Sequence, residues 1–283
     1  SNAKNLKLSS DTFMNAKLGT LILSNPLDSN VGNVFSSSKI NKLIVTTDFV
    51  NTNNQNYQFN SSEINTAIIT GGEDTKLIEK NTGHSIFEGS IIKNLIISDG
   101  ITEIGPAVFN EANIENLRFS GTLKTIGSGA FERNKLTSLT IPASVETIGS
   151  HAFEHNQLTT INFESNSKLK TIGALAFQYN NLTNVTIPAS VETIDAGAFQ
   201  NNQLTTINFE SNSKLKTIGT QAFYNNKLTN TGLGKLPSSL TGLDTFAFRN
   251  NPDLTQIILT SPKDLTGWPN GGTVDGKTVT YER

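Results

Sequence analysis

The chain has 283 residues, with 22 Lys and Arg against 24 Asp and Glu, which gives a formal net charge of −2. This balance excludes nucleic-acid binding through counterion release, and no apolar run reaches the roughly 20 residues of a membrane helix. The absence of cysteine excludes disulfides, thiol catalysis and thiolate metal sites. The first three residues, Ser-Asn-Ala, look like a scar left by cloning.

A repeating unit runs through almost the whole sequence, and the segment NFESNSKLKTIG recurs without change at 162–173 and 208–219. In most units a phenylalanine is followed by apolar residues five, eight and ten positions later. Such a period predicts a solenoid, in which no coil can bury its core alone and stacking supplies the stability. The phenylalanines lie 22 to 28 residues apart, at positions 13, 35, 59, 87, 109, 131, 153, 177, 199, 223 and 248.

The sequence of each repeat predicts one tight turn and then one short strand. The segment 126–134 places Ile126, Ala130 and Phe131 at helical spacing, which predicts a single helical or 3₁₀ turn. The segment 136–141 alternates apolar and polar residues, which predicts a strand that pairs in parallel with its neighbours. The sequence therefore predicts an α/β solenoid of about eleven coils, with a parallel sheet on one face and short helical or 3₁₀ turns on the other. Asparagines three residues after the phenylalanines predict a ladder whose amides satisfy buried turn backbone.

The units, above all LTSLTIPASVETIGSHAFEHNQL at 136–158, resemble the BspA-like class of leucine-rich repeats. The resemblance is strong over 104–230 and weaker over 13–103 and 231–259. It implies a leucine-rich-repeat fold and a bacterial cell-surface or secreted protein, of a kind that often serves as an adhesin or host-matrix binder. It supplies no catalytic residues and names no ligand. The implied partner is a protein, either from the host or its extracellular matrix or from another bacterial surface.

The outward positions of the first strands are the candidate binding face. Residues seven and nine positions after each phenylalanine are expected to point outward, because positions five, eight and ten point inward. Position nine is isoleucine in the first four coils, which predicts an exposed apolar row. The alternative is that the longer inserts at 46–58 and 70–83, or sequence outside this chain, lie over the row. The predicted site consists of Ile22, Ile44, Ile68, Ile96, Arg118, Lys42, Asn94 and Asn116.

One motif suggests an enzyme. The segment from His151 through Glu154 to His155 fits the HxxEH pattern of zinc proteases, in which two histidines bind the metal and the glutamate acts as base. The motif falls on positions of the repeat, no third ligand stands out, and no phosphate-binding loop is present. We therefore expect no enzyme, no metal and no cofactor, and keep a zinc hydrolase as a remote alternative.

The repeat stops near Leu259. Asp275-Gly276 between β-branched runs predicts a tight hairpin, and Trp268 is the one tryptophan available to cover the last coil. The expected organisation is a solenoid over 4–261 and a C-terminal hairpin cap over 262–283. The expected function is a non-catalytic protein-binding module at the bacterial surface, with no nucleic acid and no membrane insertion. The main alternative is a structural spacer that displays another domain.

Overall fold

A computed structural model describes residues 11–24, 33–52, 58–78 and 85–282. The chain divides into two compact units, Ser1–Leu136 and Thr137–Arg283. Each unit is a parallel β-solenoid, in which successive coils add strands to parallel ladders. The predicted fold class is confirmed.

The first unit has one wide sheet and one narrow ladder. In its described residues the elements are β1 (Lys17–Leu23), β2 (Lys39–Thr46), α1 (Thr47–Thr52), β3 (Glu63–Thr70), β4 (Thr75–Leu77), β5 (Ile91–Ile97), β6 (Ile101–Ile104), β7 (Asn116–Arg118) and β8 (Thr125–Ile126). The strands β1, β2, β3, β5 and β7 pair in that order and in parallel. The narrow ladder consists of β4, β6 and β8. Residues at the same place in the repeat therefore lie side by side.

The second unit has shorter strands. Its elements are β9 (Ser138–Ile141), β10 (Thr147–Ile148), β11 (Thr160–Phe163), β12 (Thr171–Ile172), β13 (Asn184–Ile187), β14 (Thr193–Ile194), β15 (Thr206–Phe209), β16 (Thr217–Ile218), α2 (Asn230–Leu233), β17 (Lys235–Leu236), β18 (Gly242–Leu243), β19 (Gln256–Leu259), β20 (Thr273–Val274) and β21 (Lys277–Tyr281). The strand β9 pairs with β11, and β13 pairs with β15. A narrow ladder joins β10, β12, β14, β16 and β18.

The phenylalanines form a stacked column inside each unit, as the period predicted. Neighbouring ring centroids lie 5.1 to 5.5 Å apart, in the range of favourable offset stacking. Phe13, in the first coil, is half-buried, and every later ring of the columns is at most 1% exposed. The column runs through six rings in the first unit and five in the second.

The predicted asparagine ladder is also confirmed. Asn202 donates from Nδ2 to the carbonyl oxygen of Phe177, one coil earlier, at 2.9 Å, and its Oδ1 accepts the N–H of Leu182 at 3.1 Å. The second, third and fourth coils have serine at this position, and Ser62 donates to the carbonyl oxygen of Phe35. The ladder thus satisfies turn backbone that the column would otherwise bury without a partner.

The turn around each phenylalanine is short and closed by an i→i+3 backbone hydrogen bond, as from the Gln178 N–H to the Leu175 carbonyl oxygen at 3.1 Å, which agrees with the expected single turn. The residue two positions after the phenylalanine has a positive φ in all eleven coils, for example 55° at Arg133 and 52° at Tyr179. A left-handed residue ends a helical turn at once. The backbone of the turn also bonds the next coil, as when the N–H of Phe177 donates to the carbonyl oxygen of Ala198 at 2.8 Å. Parallel stacking, rather than local helix propensity, decides this conformation.

The Gly-rich break near 231–234 is a helical turn, α2. Its first free N–H groups are capped by Thr229, whose hydroxyl accepts from the Gly232 N–H at 3.0 Å. A Cβ on Gly232 would lie 1.9 Å from the carbonyl oxygen of Thr205, so only glycine permits this close packing. No helix in the described ranges is long and apolar enough to cross a membrane.

The C-terminal segment extends the last sheet. The strands β20 and β21 form a hairpin around Asp275 and Gly276, which both have positive φ. The strand β21 also pairs in parallel with β19, so the hairpin adds a further rung to the solenoid. Trp268 is 1% exposed and donates from Nε1 to the carbonyl oxygen of Leu243 at 2.9 Å. The final coil therefore has an indole packed against it.

Candidate functional site

The outer face of the first sheet brings the predicted isoleucines together. On β2 the residues on either side of Ile44, Leu43 and Val45, are fully buried, so Ile44 points to the outer face. Strand pairing places the equivalent residue of each coil directly beside it, from β1 to β7. We call this line of side chains the isoleucine row, and it consists of Ile22, Ile44, Ile68, Ile96 and Arg118.

Exposure along the row depends on the neighbouring strands. Ile22, on the edge strand β1, is 64% exposed. The three following isoleucines are half-buried, because each has an outward side chain beside it on both neighbouring strands. The row is therefore a contiguous apolar surface that water still reaches, which is typical of an interaction site.

The inserts that were expected over this row make other contacts in their described parts. The helix α1 follows β2 directly and buries Phe49 completely. Asn51 donates from Nδ2 to the carbonyl oxygen of Lys76 at 2.7 Å, and its Oδ1 accepts the N–H of Ile78 at 2.7 Å. These bonds tie α1 to the segment of β4, in the narrow ladder. Residues 53–57 and 79–83 of the inserts lie outside the described residues.

Cations border the row. The strands of the wide sheet, with the residue before β7, present five Lys or Arg and two Glu, all exposed. Lys39 pairs with Glu63 at 2.8 Å. The other acidic residue of the face is Glu115. Four cations form no ion pair with any residue that the structure describes, and these are Lys17, Lys42, Lys93 and Arg118. The face is thus net positive, whereas the whole chain has a formal net charge of −2.

The predicted site residues Asn94 and Asn116 link strands. Asn94 donates from Nδ2 to the carbonyl oxygen of Asn65 at 2.9 Å, and Asn116 donates in the same way to Lys93 at 3.1 Å. Their side-chain oxygens accept no hydrogen bond from the described part of the chain. Each amide therefore fixes the sheet with its nitrogen and offers an acceptor on the face.

A groove on the same sheet was missed by the sequence analysis. It has a volume of about 460 Å³, within the range of roughly 300–1,000 Å³ that ligand pockets occupy. Leu18, Ile40 and Ile64 line it, together with charged residues that include Lys17 and Lys93. The sequence did contain a signal for this groove. The inward residues at positions five and eight after each phenylalanine are three apart, so two consecutive residues, at positions six and seven, lie between them near the outer surface.

The HxxEH motif does not form a zinc-protease site. His151 and His155 have φ values of 59° and 53°, so the segment is a turn and not the helix that the motif requires. Glu154 lies between them, with Oε2 at 2.5 Å from His151 Nδ1, and the ring of His155 stacks on Tyr179 with centroids 4.5 Å apart. Across the described ranges no group of three or more His, Asp or Glu is placed to hold a metal ion.

Two carboxyl groups of the second unit have shifted pKa values. A hydrogen bond from Lys216, together with the charge of that lysine, lowers the pKa of Glu192 below its usual range. Burial raises the pKa of Asp195, which occupies a place that other coils fill with glycine, such as Gly173 and Gly219. Both groups flank β14 of the narrow ladder, at places of the repeat other than that of the isoleucine row.

Comparison with known proteins gives the family. The family model for the BspA type leucine rich repeat region matches residues 80–203 and 170–267, with 6 copies, and these stretches together span more than half of the chain. No curated protein sequence matches the chain. Among solved structures, the pneumococcal vaccine antigen PcpA is similar, with a TM-score of 0.48, 16% sequence identity and coverage of 99% of this chain and 80% of that one. On the strength of the family model, the chain belongs to the BspA-type leucine-rich repeat family.

Proposed function

We propose that this chain is a non-catalytic protein-binding module of a bacterial cell-surface or secreted protein, and that it serves adhesion or host-matrix interaction. Binding takes place on the outer face of the first sheet. The observation that supports this most directly is the isoleucine row, whose first member, Ile22, is 64% exposed. Membership of the BspA-type family supports the location and the class of role.

The chemistry of the face fits a protein partner. Apolar side chains at the centre of a patch, with polar and charged groups around it, are the usual anatomy of a protein interface. Here the isoleucine row supplies the apolar part, and Lys42, Asn94 and Asn116 lie in the adjacent row of outward residues. The apolar contacts contribute affinity, and the cations direct the orientation of the partner.

Binding to a panel of immobilised extracellular-matrix proteins tests this proposal. The variant with Ile44→Asp and Ile68→Asp places two charges in the row and is expected to lose binding to whichever protein the natural chain retains. The matched control carries Thr140→Asp and Asn162→Asp, which are also adjacent outward residues on paired strands, β9 and β11. Equal binding by both variants, or loss in the control alone, would contradict the proposed face.

A spacer role is the second candidate, and the second unit favours it. In four of its coils the outward residue nine positions after the phenylalanine is neutral and polar, and two coils share an identical segment at 162–173 and 208–219. Near-identical coils give length without a distinctive surface. If the chain bound no partner on the panel in either variant or in its natural form, the spacer role would be the better account. The outward residues concerned are Thr140, Asn162, Thr186 and Asn208.

A further inference from the structure

The free charges of the wide sheet lie at definite places relative to the isoleucine row. Arg118 ends the row beside Ile96, on the strand farthest from β1. Lys42 lies two residues before Ile44 on β2, so it flanks the row. Neither cation forms an ion pair with a described residue. Unpaired charges on an exposed face attract a partner of opposite charge and repel one of like charge.

The length of the row sets the length of the segment that fits it. Ile22 and Ile96 are three strand steps apart, which is about 14 Å at a spacing of about 4.8 Å. An extended peptide covers that distance with about four residues. One further step reaches Arg118. Since successive side chains of an extended peptide point to opposite sides, the row matches alternate aliphatic residues of a short segment, with an acidic residue at the end that meets Arg118.

The residues that form the face favour a polypeptide over an acidic polysaccharide. A polysaccharide could satisfy the cations, but it has no aliphatic side chains to cover isoleucine. The strands β1, β2, β3, β5 and β7 contain no Phe, Tyr or Trp, so a sugar ring would find no aromatic surface on them. The isoleucines and the cations together favour a partner that has both aliphatic side chains and acidic groups, which is a polypeptide.

We propose that the outer face of the first sheet binds an extended acidic protein segment. Aliphatic residues of this segment lie on the isoleucine row, and its carboxylates meet Arg118 and Lys42. This inference rests on the proposed function and adds the chemistry of the partner. The groove on the same sheet is lined by three lysines and two glutamates, so it adds one net positive charge to this face; these residues are Lys17, Lys39, Lys93, Glu63 and Glu115. The attraction is steered by charge and weakens as salt screens it.

A display library of random short peptides, selected on the full chain, tests the proposal. Selection is made on the natural protein after depletion on the variant with Ile44→Asp and Ile68→Asp, so that only ligands of this face remain. Enriched peptides are expected to combine branched aliphatic residues with Asp or Glu. Their affinity is expected to fall by about tenfold or more in a variant with Lys42→Glu and Arg118→Glu, and to fall with added salt. Lys227→Glu with Lys263→Glu, two exposed lysines of the second unit, is the matched control and is expected to leave the affinity unchanged.

The outcomes separate the two proposals. Enrichment of basic or uncharged peptides that still require the isoleucine row would overturn the acidic partner and leave the proposed function intact. No enrichment after depletion would count against the face itself. Heparin is the second probe: binding of heparin that needs Lys42 and Arg118 but survives the Ile44→Asp and Ile68→Asp changes, without any enriched peptide, would replace the protein segment by a polysaccharide.

Discussion

The side-chain amide of Asn180 donates a hydrogen bond to the carbonyl oxygen of Phe153, one coil earlier, at 3.0 Å. The same amide donates to Phe177 at 3.1 Å and accepts the N–H of Leu158 at 3.0 Å. One buried side chain thus closes two successive turns. Without it, the N–H of Leu158 has no acceptor where water does not reach it easily, while the two carbonyls keep the amides of Asn156 and Asn202 as donors.

Replacing this amide is expected to destabilise the chain markedly. Asn180→Ala leaves the buried N–H of Leu158 unsatisfied, and we expect a loss of about 1–3 kcal/mol, which is the cost of one such group. Denaturant unfolding measures the loss. Asn181→Ala is the control, because the neighbouring asparagine is exposed and should change stability by about 0.5 kcal/mol or less. Equal unfolding midpoints for the two variants would show that the ladder has no structural role.

The phenylalanine column is expected to be as sensitive. The ring of Phe177 stacks on Phe153 and Phe199 at 5.4 and 5.3 Å, so Phe177→Ala creates a cavity and costs about 3–5 kcal/mol. Phe246 is 45% exposed and lies under the guanidinium of Arg249. Phe246→Ala should therefore cost no more than about 1 kcal/mol by the same measurement. A loss of stability below about 1 kcal/mol for Phe177→Ala would contradict a packed column.

Gly173 lies where two successive coils approach closely, at a place of the repeat that two other coils fill with Asp195 and Asp244. A Cβ on Gly173 would lie 2.6 Å from the backbone carbon of Gly149, and backbone cannot move aside as a flexible side chain can. We expect Gly173→Ala to cost about 1–3 kcal/mol through overpacking. A Cβ on Gly121 would meet no atom within 4 Å, so Gly121→Ala should be neutral or slightly stabilising. Thermal unfolding of the two variants, run side by side, gives the comparison.

Charges on the isoleucine row should leave the fold intact. Ile44 and Ile68 point outward, and we expect the Ile44→Asp and Ile68→Asp variant to remain folded, with a loss of about 1–2 kcal/mol from the cross-strand pair. Leu43→Asp, on the inner side of the same strand, should prevent folding because Leu43 is fully buried. Circular dichroism distinguishes these results. Collapse of the outward variant would mean that the row belongs to the core.

The stability of the second unit should depend on the ionisation of Asp195. Burial raises the pKa of this carboxyl in the folded chain above its unfolded value. The folded state then holds the proton more tightly, so stability falls as pH rises between the unfolded and folded pKa values and stays lower above them. Asp195→Asn should remove this dependence and unfold at higher denaturant than the natural chain at neutral pH. Asp253→Asn, at an exposed position, should show no such gain, and an equal gain from both would exclude burial as the cause.

The repeated residues determined which parts of the fold could be predicted. The phenylalanine column, the asparagine ladder and the outward isoleucines follow from side chains that recur at fixed positions. The turn conformation could not be read in this way, because residues as different as Arg133 and Tyr179 adopt the same left-handed backbone. That conformation arises from hydrogen bonding between stacked coils, which the sequence of a single repeat does not show.

The narrow ladder and the groove were missed for related reasons. Strands of two residues, such as Thr171–Ile172, are too short to show an alternating pattern. The groove depends on how Lys17, Leu18 and their neighbours on adjacent strands come together. Whether Lys93 forms an ion pair depends on which partners the surrounding side chains take. The apolar row of the candidate site was visible in the sequence, whereas its charge balance required the folded arrangement.

The left-handed position two residues after each phenylalanine has a practical consequence. It accepts Asn, Ser, Gly, Glu, Arg, His and Tyr without any change of the coil. The side chain at this position therefore does not affect the packing of the buried phenylalanine column. Reporter groups or epitopes introduced there, one for each coil, would form an array within each of the two units, with the pitch of the strands, about 4.8 Å.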